Sequence, residues 1–463
     1  MSQHRSFGAA PSGWREELAA TLRLAAPLVG TNLLQMAIYS VDVIFVARLG
    51  AGPLAASSLS VSLTGLLMWA MSGLVGGASP LIAAELGRNR HAVREVRRTF
   101  RMGLWLAVAS GAACMVVCAF GEEIMLLTGQ KPSVAAAAGD FLLILMWTII
   151  PLVLAAHLRN TISALGLAAA STAIAAFAVA VNALGNYALI YGHFGLPALG
   201  LNGSAVASVI TSFAMLAAYA VVIQTNRRLR RFHLWGRWWR GEWQRLRQML
   251  MIGLPIAGTI LAEAGLFSAA AFLMGRIGEA ELAGHTIALQ LAAIAFQVPY
   301  GVGQAATIRV GLAFGARNAE WIRLAGNIAV ALGIGFMVVT ALLIWGFPRT
   351  ILRLYVDPDL PANAAMVGFA VQYLLVAAAF QLFDGAQAVA AGALRGLQDT
   401  RMPMLIAVFS YWVPGFGLAV GLGFLTDLSG TGVWIGLATG LVVVAALLLW
   451  RWNARGRLGL VPA

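Results

Sequence analysis

The stretch LPIAGTILAEAGLFSAAAFLMGRIG, residues 254–278, decides the fold. Its apolar run is long enough for a helix to cross a bilayer, which takes about 20 residues. Glu263 lies inside this run, although an ionised side chain near the bilayer centre costs about 2.5–3.5 kcal/mol. Pro255 predicts a kink rather than a helix end, because neighbouring helices can satisfy the backbone groups that a proline frees. A carboxylate kept at this depth indicates function.

The same stretch occurs a second time, 228 residues earlier, as APLVGTNLLQMAIYSVDVIFVARLG at residues 26–50. Seven residues match their partners in this register: Pro27, Gly30, Thr31, Leu33, Ser40, Arg48 and Gly50. Pro27 therefore predicts a kink in the first helix, like that at Pro255. The acids do not match, since Gln35 is equivalent to Glu263 and an acid appears seven residues later, at Asp42. The pattern indicates two copies of one membrane unit.

The composition is that of a polytopic membrane protein. Of the 463 residues, 60% are hydrophobic and 11% are charged, and the mean hydropathy is +0.83. The N-terminal residues lack the apolar core of a cleaved signal peptide. No nucleotide-binding loop, metal cluster or nucleophile–base pair occurs, and Cys114 and Cys118 alone make no metal site. We expect neither an enzyme nor a bound cofactor.

Twelve apolar segments can be laid out, and the 31 basic residues distribute unevenly around them. If the N-terminus is cytoplasmic, 26 Lys and Arg lie on the inner side and 5 on the outer side. The outer residues are Arg48, Lys131, Arg276, Arg349 and Arg353. Basic residues concentrate on the cytoplasmic side of membrane proteins. The distribution predicts twelve helices with both termini in the cytoplasm, in a bacterial-type inner membrane.

The fold expected is an all-α integral membrane protein with 12 transmembrane helices in two pseudo-symmetric six-helix bundles. The predicted parts are a cytoplasmic N-terminal segment (1–21), an N-terminal bundle (22–224), a basic cytoplasmic linker (225–248), a C-terminal bundle (249–450) and a cytoplasmic tail (451–463). Two halves in the same orientation imply a two-fold pseudo-axis along the membrane normal, with the substrate between them.

The linker interleaves arginines with tryptophans, as QTNRRLRRFHLWGRWWRGEWQRLRQ at residues 224–248. In a soluble protein this pattern, with the formal charge of +13, would favour nucleic-acid binding. Beside a membrane it favours an interfacial segment, with indoles at the headgroups and arginines on anionic lipid. We expect membrane lipids, and no nucleic acid, as partners.

Of the 18 acids, Asp42, Glu263 and Asp384 are not explained by loops or helix ends. Asp42 could reach the outer surface, Glu263 could be a neutral acid held by helix packing, and Asp384 could form a structural pair with Gln381 or Gln387. None of these alternatives explains three intramembrane acids without an intramembrane Lys or Arg beside them. Such acids indicate ion or proton coupling.

Two polar pockets are predicted around these acids. Asn182 and Asn186 are four residues apart, on one helix face, and could accompany Asp42. In the other half, Gln290 and Gln381 could share a pocket with Glu263 and Asp384. Helical amides can equally join helices to one another.

The chain resembles the multidrug and toxic compound extrusion (MATE) family, NorM-like branch, over about residues 22–450. The resemblance rests on LAAPLVGTNLLQMAIYSVDVIFVARLG (24–50), LAEAGLF (261–267), FDGAQAVAAGALRGLQDT (383–400), VNALGNYALIYG (181–192) and GLPALGLNGSAVAS (195–208). It implies export of cationic, lipophilic compounds driven by Na⁺ or H⁺. Family functional positions match at Asp42, Asn182, Asn186, Glu263 and Asp384. Phe380 stands where some relatives have a tyrosine.

The favoured hypothesis is a monomeric secondary transporter in which the coupling ion and a cationic amphiphile compete for the same negative charge. The alternative is a flippase for lipid-linked oligosaccharides, a relative in the same superfamily that would be expected to line its cavity with Arg and Lys. Two carboxylates repel one another and a cation between them relieves this, so Glu263 and Asp384 form the candidate Na⁺ site. Asp42 is the candidate for a separate protonatable site.

Overall fold

The computed structural model describes residues 9–236 and 238–461, and 12 helices in these ranges are long and apolar enough to cross a membrane. They are α1 (Trp14–Ala47), α2 (Ala51–Arg88), α3 (Val93–Ala119), α4 (Pro132–Ala164), α5 (Ala168–Tyr191), α6 (Leu201–Thr225), α7 (Trp243–Ile277), α8 (Glu279–Gly315), α9 (Ala319–Gly346), α10 (Pro361–Gly396), α11 (Arg401–Phe424) and α12 (Ser429–Asn453). Short helices at Gly121–Leu127, Arg227–Arg230 and Pro348–Leu352 lie between them. The predicted all-α, twelve-helix fold is confirmed.

Four of these helices change their winding along their length, including α10, which begins with a 3₁₀ turn at Pro361–Asn363. α2 is interrupted at Gly77, and α4 contains a 3₁₀ turn at Met146–Thr148. α11 contains a π-helical turn at Tyr411–Gly415, which includes Pro414. A proline cannot donate a backbone hydrogen bond and its ring displaces the preceding turn, so the helix widens there.

The chain divides into two compact units, and the division falls inside helices. We call Gly30–Ala257 the N-terminal unit, and Met1–Val29 together with Gly258–Ala463 the C-terminal unit. The bundle boundaries expected from the sequence, 22–224 and 249–450, stay a prediction. The start of α1 packs with the C-terminal unit and the start of α7 with the N-terminal unit. Both changes occur three residues after a proline, at positions equivalent in the repeat, where the freed backbone lets a helix change direction.

The start of α1 is held in the C-terminal unit by a buried ion pair. Glu17 is fully buried and accepts hydrogen bonds from Arg309 Nε at 2.8 Å and from Trp321 Nε1 at 3.0 Å. A second nitrogen of Arg309 donates to the other carboxylate oxygen, which makes the pair bidentate.

The start of α7 is held in the N-terminal unit by equivalent ion pairs in which the charges are reversed, so that the arginine is on α7. Arg245 donates to Glu85 at 3.0 Å and to Glu95 at 2.8 Å. Positions 17 and 245 are separated by 228 residues, the offset of the repeat. At this equivalent position the start of α1 therefore carries a negative charge, and the start of α7 carries a positive charge.

α8 and α10 pack closely through glycines in the C-terminal unit. Thr307 Oγ1 donates to the carbonyl oxygen of Gly392 at 2.9 Å, and a Cβ on Gly392 would lie only 2.3 Å from the carbonyl oxygen of Gly303. We expect Gly392→Ala to destabilise the protein by about 1–3 kcal/mol, because two backbones must separate. Thermal unfolding in detergent measures this. Gly368→Ala in the same helix is the control, since a Cβ there meets nothing within 4 Å; equal melting of the two variants would contradict the prediction.

Candidate functional site

In the N-terminal unit, Asp42 of α1 is the centre of a hydrogen-bond cluster. Asn182 and Asn186 of α5 donate to Asp42 Oδ1 at 2.9 and 2.7 Å. Ser208 of α6 donates to Oδ2 at 3.2 Å. Both asparagines are fully buried, and the carboxylate is half-buried. The structure thus brings together the three residues that the sequence associates, and three helices meet at this carboxylate.

Ser208 is the member of this cluster that sequence reasoning missed. It ends the stretch GLPALGLNGSAVAS, but nothing distinguishes it there from Ser204. Its hydroxyl can both donate and accept, whereas the asparagine nitrogens only donate. If Asp42 were protonated on Oδ2, the hydroxyl could turn and accept that proton's hydrogen bond. The cluster can therefore hold Asp42 in either protonation state with little rearrangement.

The position equivalent to Glu263 is occupied in this unit by an uncharged residue, Gln35, which pairs with an arginine. Gln35 Oε1 accepts a hydrogen bond from Arg159 Nη1 at 2.7 Å, and Arg159 is 6% exposed. The two units thus differ in charge around this position, because Gln35 is neutral and meets Arg159, whereas Glu263 is itself a carboxylate.

In the C-terminal unit, Glu263 of α7 and Asp384 of α10 are joined by one amide. Gln387 Nε2 donates to Glu263 Oε1 at 3.1 Å and to Asp384 Oδ1 at 3.2 Å. Asp384 is 5% exposed and Gln387 is 3% exposed. Two carboxylates fixed around a single nitrogen present several oxygen atoms within a small volume, and oxygen ligands of this kind suit a hard cation.

Neither glutamine expected in this pocket takes part in the contact. Gln290 is exposed, and among the described residues it donates no hydrogen bond to either carboxylate. Gln381 is fully buried, and neither polar atom of its side chain has a hydrogen-bond partner in the described part of the chain. Gln381 and Gln387 are each three residues from Asp384 along α10, so spacing alone could not choose between them.

Two further groups surround the carboxylate pair, and sequence reasoning missed both. Arg395 interacts electrostatically with Glu263. Tyr411, the first residue of the π turn, is fully buried and interacts electrostatically with Glu263 and Asp384. Arg395 is in the last turn of α10, at the helix end where the sequence places it among the inner basic residues. Its interaction with Glu263 of α7 joins two helices, so spacing within α10 does not predict it.

Phe380, one turn before Asp384, belongs to an aromatic stack rather than to the carboxylate cluster. It is 1% exposed and its ring centroid lies 5.6 Å from that of Trp434, which also stacks on Tyr373 at 5.7 Å. An apolar ring here packs the helix and offers no oxygen to a cation. Any cation between the carboxylates would have to take its further ligands from elsewhere.

The comparisons with known proteins agree with the internal repeat. The family model MatE matches twice, at residues 27–188 and 255–420, and the two matches begin at the two prolines of the repeat. This chain belongs to the MATE family.

Curated relatives of this MATE chain match nearly its whole length. It is 45% identical over 445 residues to the "Probable multidrug resistance protein NorM" of Mesorhizobium japonicum, covering 96% of this chain and 95% of the relative. It is 44% identical to the protein of the same name from Brucella suis, over 95% of this chain and 93% of that one.

Solved structures show the same fold at low identity. The eukaryotic MATE transporter AtDTX14 superposes with a TM-score of 0.85 at 19% identity, over 96% of this chain and 98% of that one. A MOP superfamily transporter from Pyrococcus furiosus gives 0.83 at 19% identity, over 98% and 99%. The MATE fold is thus retained where few side chains are shared.

Proposed function

We propose that this MATE protein is a secondary active multidrug efflux transporter that exports cationic, lipophilic compounds in exchange for Na⁺ or H⁺. The observation that supports it most directly is the pair Glu263 and Asp384, held together by Gln387 inside membrane-spanning helices. Relatives named as probable multidrug resistance proteins over nearly the whole chain support the same function.

In the proposed mechanism, the coupling ion and the cationic drug compete for the negative charge of Glu263 and Asp384. Two ionised carboxylates held close together repel one another, and a bound cation or proton relieves that repulsion. Arg395 compensates only part of this charge. A coupling ion that enters from its concentrated side neutralises the pair and lowers the affinity for a cationic drug, so the drug is released. Loss of the ion on the other side restores the negative charge and the drug affinity.

The test is ethidium efflux from vesicles in which a Na⁺ gradient and a pH gradient are imposed separately. We expect one of the two gradients to drive ethidium transport, and dissipation of that gradient by an ionophore to stop it. If neither gradient moves ethidium or another lipophilic cation, while the protein is folded and inserted, the proposed function is wrong.

The two carboxylate clusters are expected to differ in what they bind. Asp42 is surrounded by three neutral donors, which suits a proton, whereas Glu263 and Asp384 suit a metal cation. In a Na⁺-coupled protein, Glu263→Gln should weaken Na⁺ binding by at least tenfold and Asp42→Asn should leave it within about twofold. Direct Na⁺ titration of the purified variants measures both. The opposite order would reverse the assignment, and absence of Na⁺ binding in the unmodified protein would indicate proton coupling.

The proposed location is the bacterial inner membrane, with both termini in the cytoplasm. The distribution of 26 inner and 5 outer basic residues supports this orientation. A reporter enzyme fused after Arg240 is expected to report the cytoplasm, and one fused after Lys131 the periplasm. Both reporters on one side would contradict the orientation.

A further inference from the structure

A basic cavity lies where the start of α3 meets the linker, within the N-terminal unit. Its volume is about 320 Å³, and its lining is Arg94, Arg97, Arg98, Arg101, Arg240, Gly241 and Glu242. A water molecule needs about 10–15 Å³ of such space, so the cavity has room for a polyatomic group rather than a single ion. Five arginines and one glutamate leave four positive charges in excess.

The charges in this cavity are unequally compensated. Glu242 receives hydrogen bonds from Arg98 and Arg101, so its carboxylate is engaged on one wall. In the described part of the chain, Arg94, Arg97 and Arg240 form no ion pair with a carboxylate. Arg101 is 4% exposed and lies within electrostatic reach of Arg97, Arg98 and Arg240, whose charges repel its own. An anion in the cavity would relieve this repulsion, and guanidinium groups bind phosphate with two parallel hydrogen bonds.

The surroundings of the cavity indicate where that anion comes from. The linker contacts α3 through a hydrogen bond of 3.0 Å from Trp105 Nε1 to the carbonyl oxygen of Trp238, and through the ring of Trp235, which lies edge-on to Phe100 with centroids 5.4 Å apart. Large indoles near the lining residues in the sequence are exposed, Trp238 at 58%, Trp239 at 66% and Trp243 at 77% in the linker and Trp105 at 47% in α3. Tryptophan side chains are enriched at the headgroup level of membranes. These two features together indicate that a ligand of the cavity would be anionic and would lie at the lipid surface.

We propose that this cavity binds the phosphate of an anionic phospholipid, with the exposed tryptophans packed against the lipid around it. Arg94, Arg97 and Arg240 hold the phosphate, and Glu242 positions Arg98 and Arg101 at the opposite wall. The bound lipid joins the linker to α3 by neutralising charges that both contribute. The proposal does not depend on what the protein transports.

The test compares unfolding temperatures of purified protein in a neutral detergent, with three additions measured separately. These are phosphatidylglycerol, phosphatidylcholine with the same acyl chains, and inorganic phosphate. We expect phosphatidylglycerol to raise the Tm in a saturable manner, with little effect of phosphatidylcholine or inorganic phosphate. Arg94→Gln/Arg97→Gln should raise the apparent Kd for phosphatidylglycerol about tenfold, and high salt should weaken binding to the unmodified protein.

The control is Arg228→Gln/Arg230→Gln, which removes the same charge from exposed linker positions outside the cavity. It should retain the lipid response. Without lipid, Arg94→Gln/Arg97→Gln should be at least as stable as the unmodified protein, because it removes repulsion, whereas a merely structural role for these arginines would make it less stable. If that variant does not fold, Arg240→Gln on the exposed linker gives the same comparison.

Three results would overturn the proposal. One is an equal effect of phosphatidylglycerol and phosphatidylcholine, which would indicate no headgroup recognition. Another is a full response to inorganic phosphate alone, which would make this a site for a soluble anion. The third is an unchanged lipid response in a folded variant that lacks Arg94 and Arg97.

Discussion

Asp384→Asn is expected to abolish ion-driven efflux while leaving the protein folded and in the membrane. The asparagine oxygen can still accept the hydrogen bond that Gln387 donates to Asp384 at 3.2 Å, so the local geometry is kept. The charge is lost. A unit charge about 4 Å from a cation is worth about 4 kcal/mol at an effective dielectric constant near 20, which corresponds to a factor of roughly 1,000 in binding.

Ethidium efflux from vesicles measures this effect, with the amount of inserted protein determined in parallel. Asp427→Asn is the matched control, because it makes the same chemical change at an exposed position between α11 and α12. We expect the control to transport like the unmodified protein. Efflux at the normal rate by Asp384→Asn would show that the contact between Asp384 and Gln387 is structural and that the ion binds elsewhere.

Glu17→Ala is expected to lower the free energy of unfolding by about 3–5 kcal/mol, the usual cost of removing one partner from a buried ion pair. The substitution would leave the buried Arg309 charge without the carboxylate to which it donates at 2.8 Å, and it would remove the acceptor of Trp321 Nε1. Thermal unfolding in detergent should therefore show a large fall in Tm. Glu16→Ala should have a much smaller effect, because Glu16 is exposed and its carboxylate accepts a hydrogen bond from the backbone nitrogen of Ser12, at 2.7 Å, rather than from a buried charge.

The ion pairs at the start of α7 suggest a second variant, in which the charges of the Glu17–Arg309 pair are reversed. In that ion pair the start of α7 carries the arginine, Arg245, and its partner Glu85 is on α2. Glu17→Arg combined with Arg309→Glu would give the C-terminal unit the same polarity, and we expect it to recover part of the stability that Glu17→Ala loses. Equal stability of Glu17→Ala and Glu16→Ala would contradict the ion-pair argument.

The reversed charges of the two equivalent ion pairs determine which partner each helix start binds during folding. α1 and α7 are equivalent in the repeat, and the boundary between the two units crosses each of them three residues after its proline. A carboxylate at position 17 is attracted by Arg309 and would be repelled by Glu85, and the reverse holds for Arg245. The two helix starts therefore recognise different partners although their apolar surfaces are related.

The sequence by itself determined the features that depend on local pattern. Apolar run length and the distribution of basic residues predict twelve helices, and the 228-residue repeat predicts two related halves with a proline in each first helix. The repeat also shows that the position of the carboxylate Glu263 is occupied by a neutral residue, Gln35, in the first half. Asn182 and Asn186 could be associated with Asp42 because a spacing of four residues places both amides on one helix face.

Only the tertiary structure decided which distant groups meet. Gln387, rather than Gln381 or Gln290, joins the two carboxylates, because this depends on the rotation of α10 against α7 and not on spacing within α10. Glu17 has the sequence features of Glu16 and differs only in what packs over it. Arg395 and Tyr411 act on Glu263 for the same reason. Hydropathy and periodicity describe one helix at a time, whereas ion pairs and shared sites depend on how several helices pack.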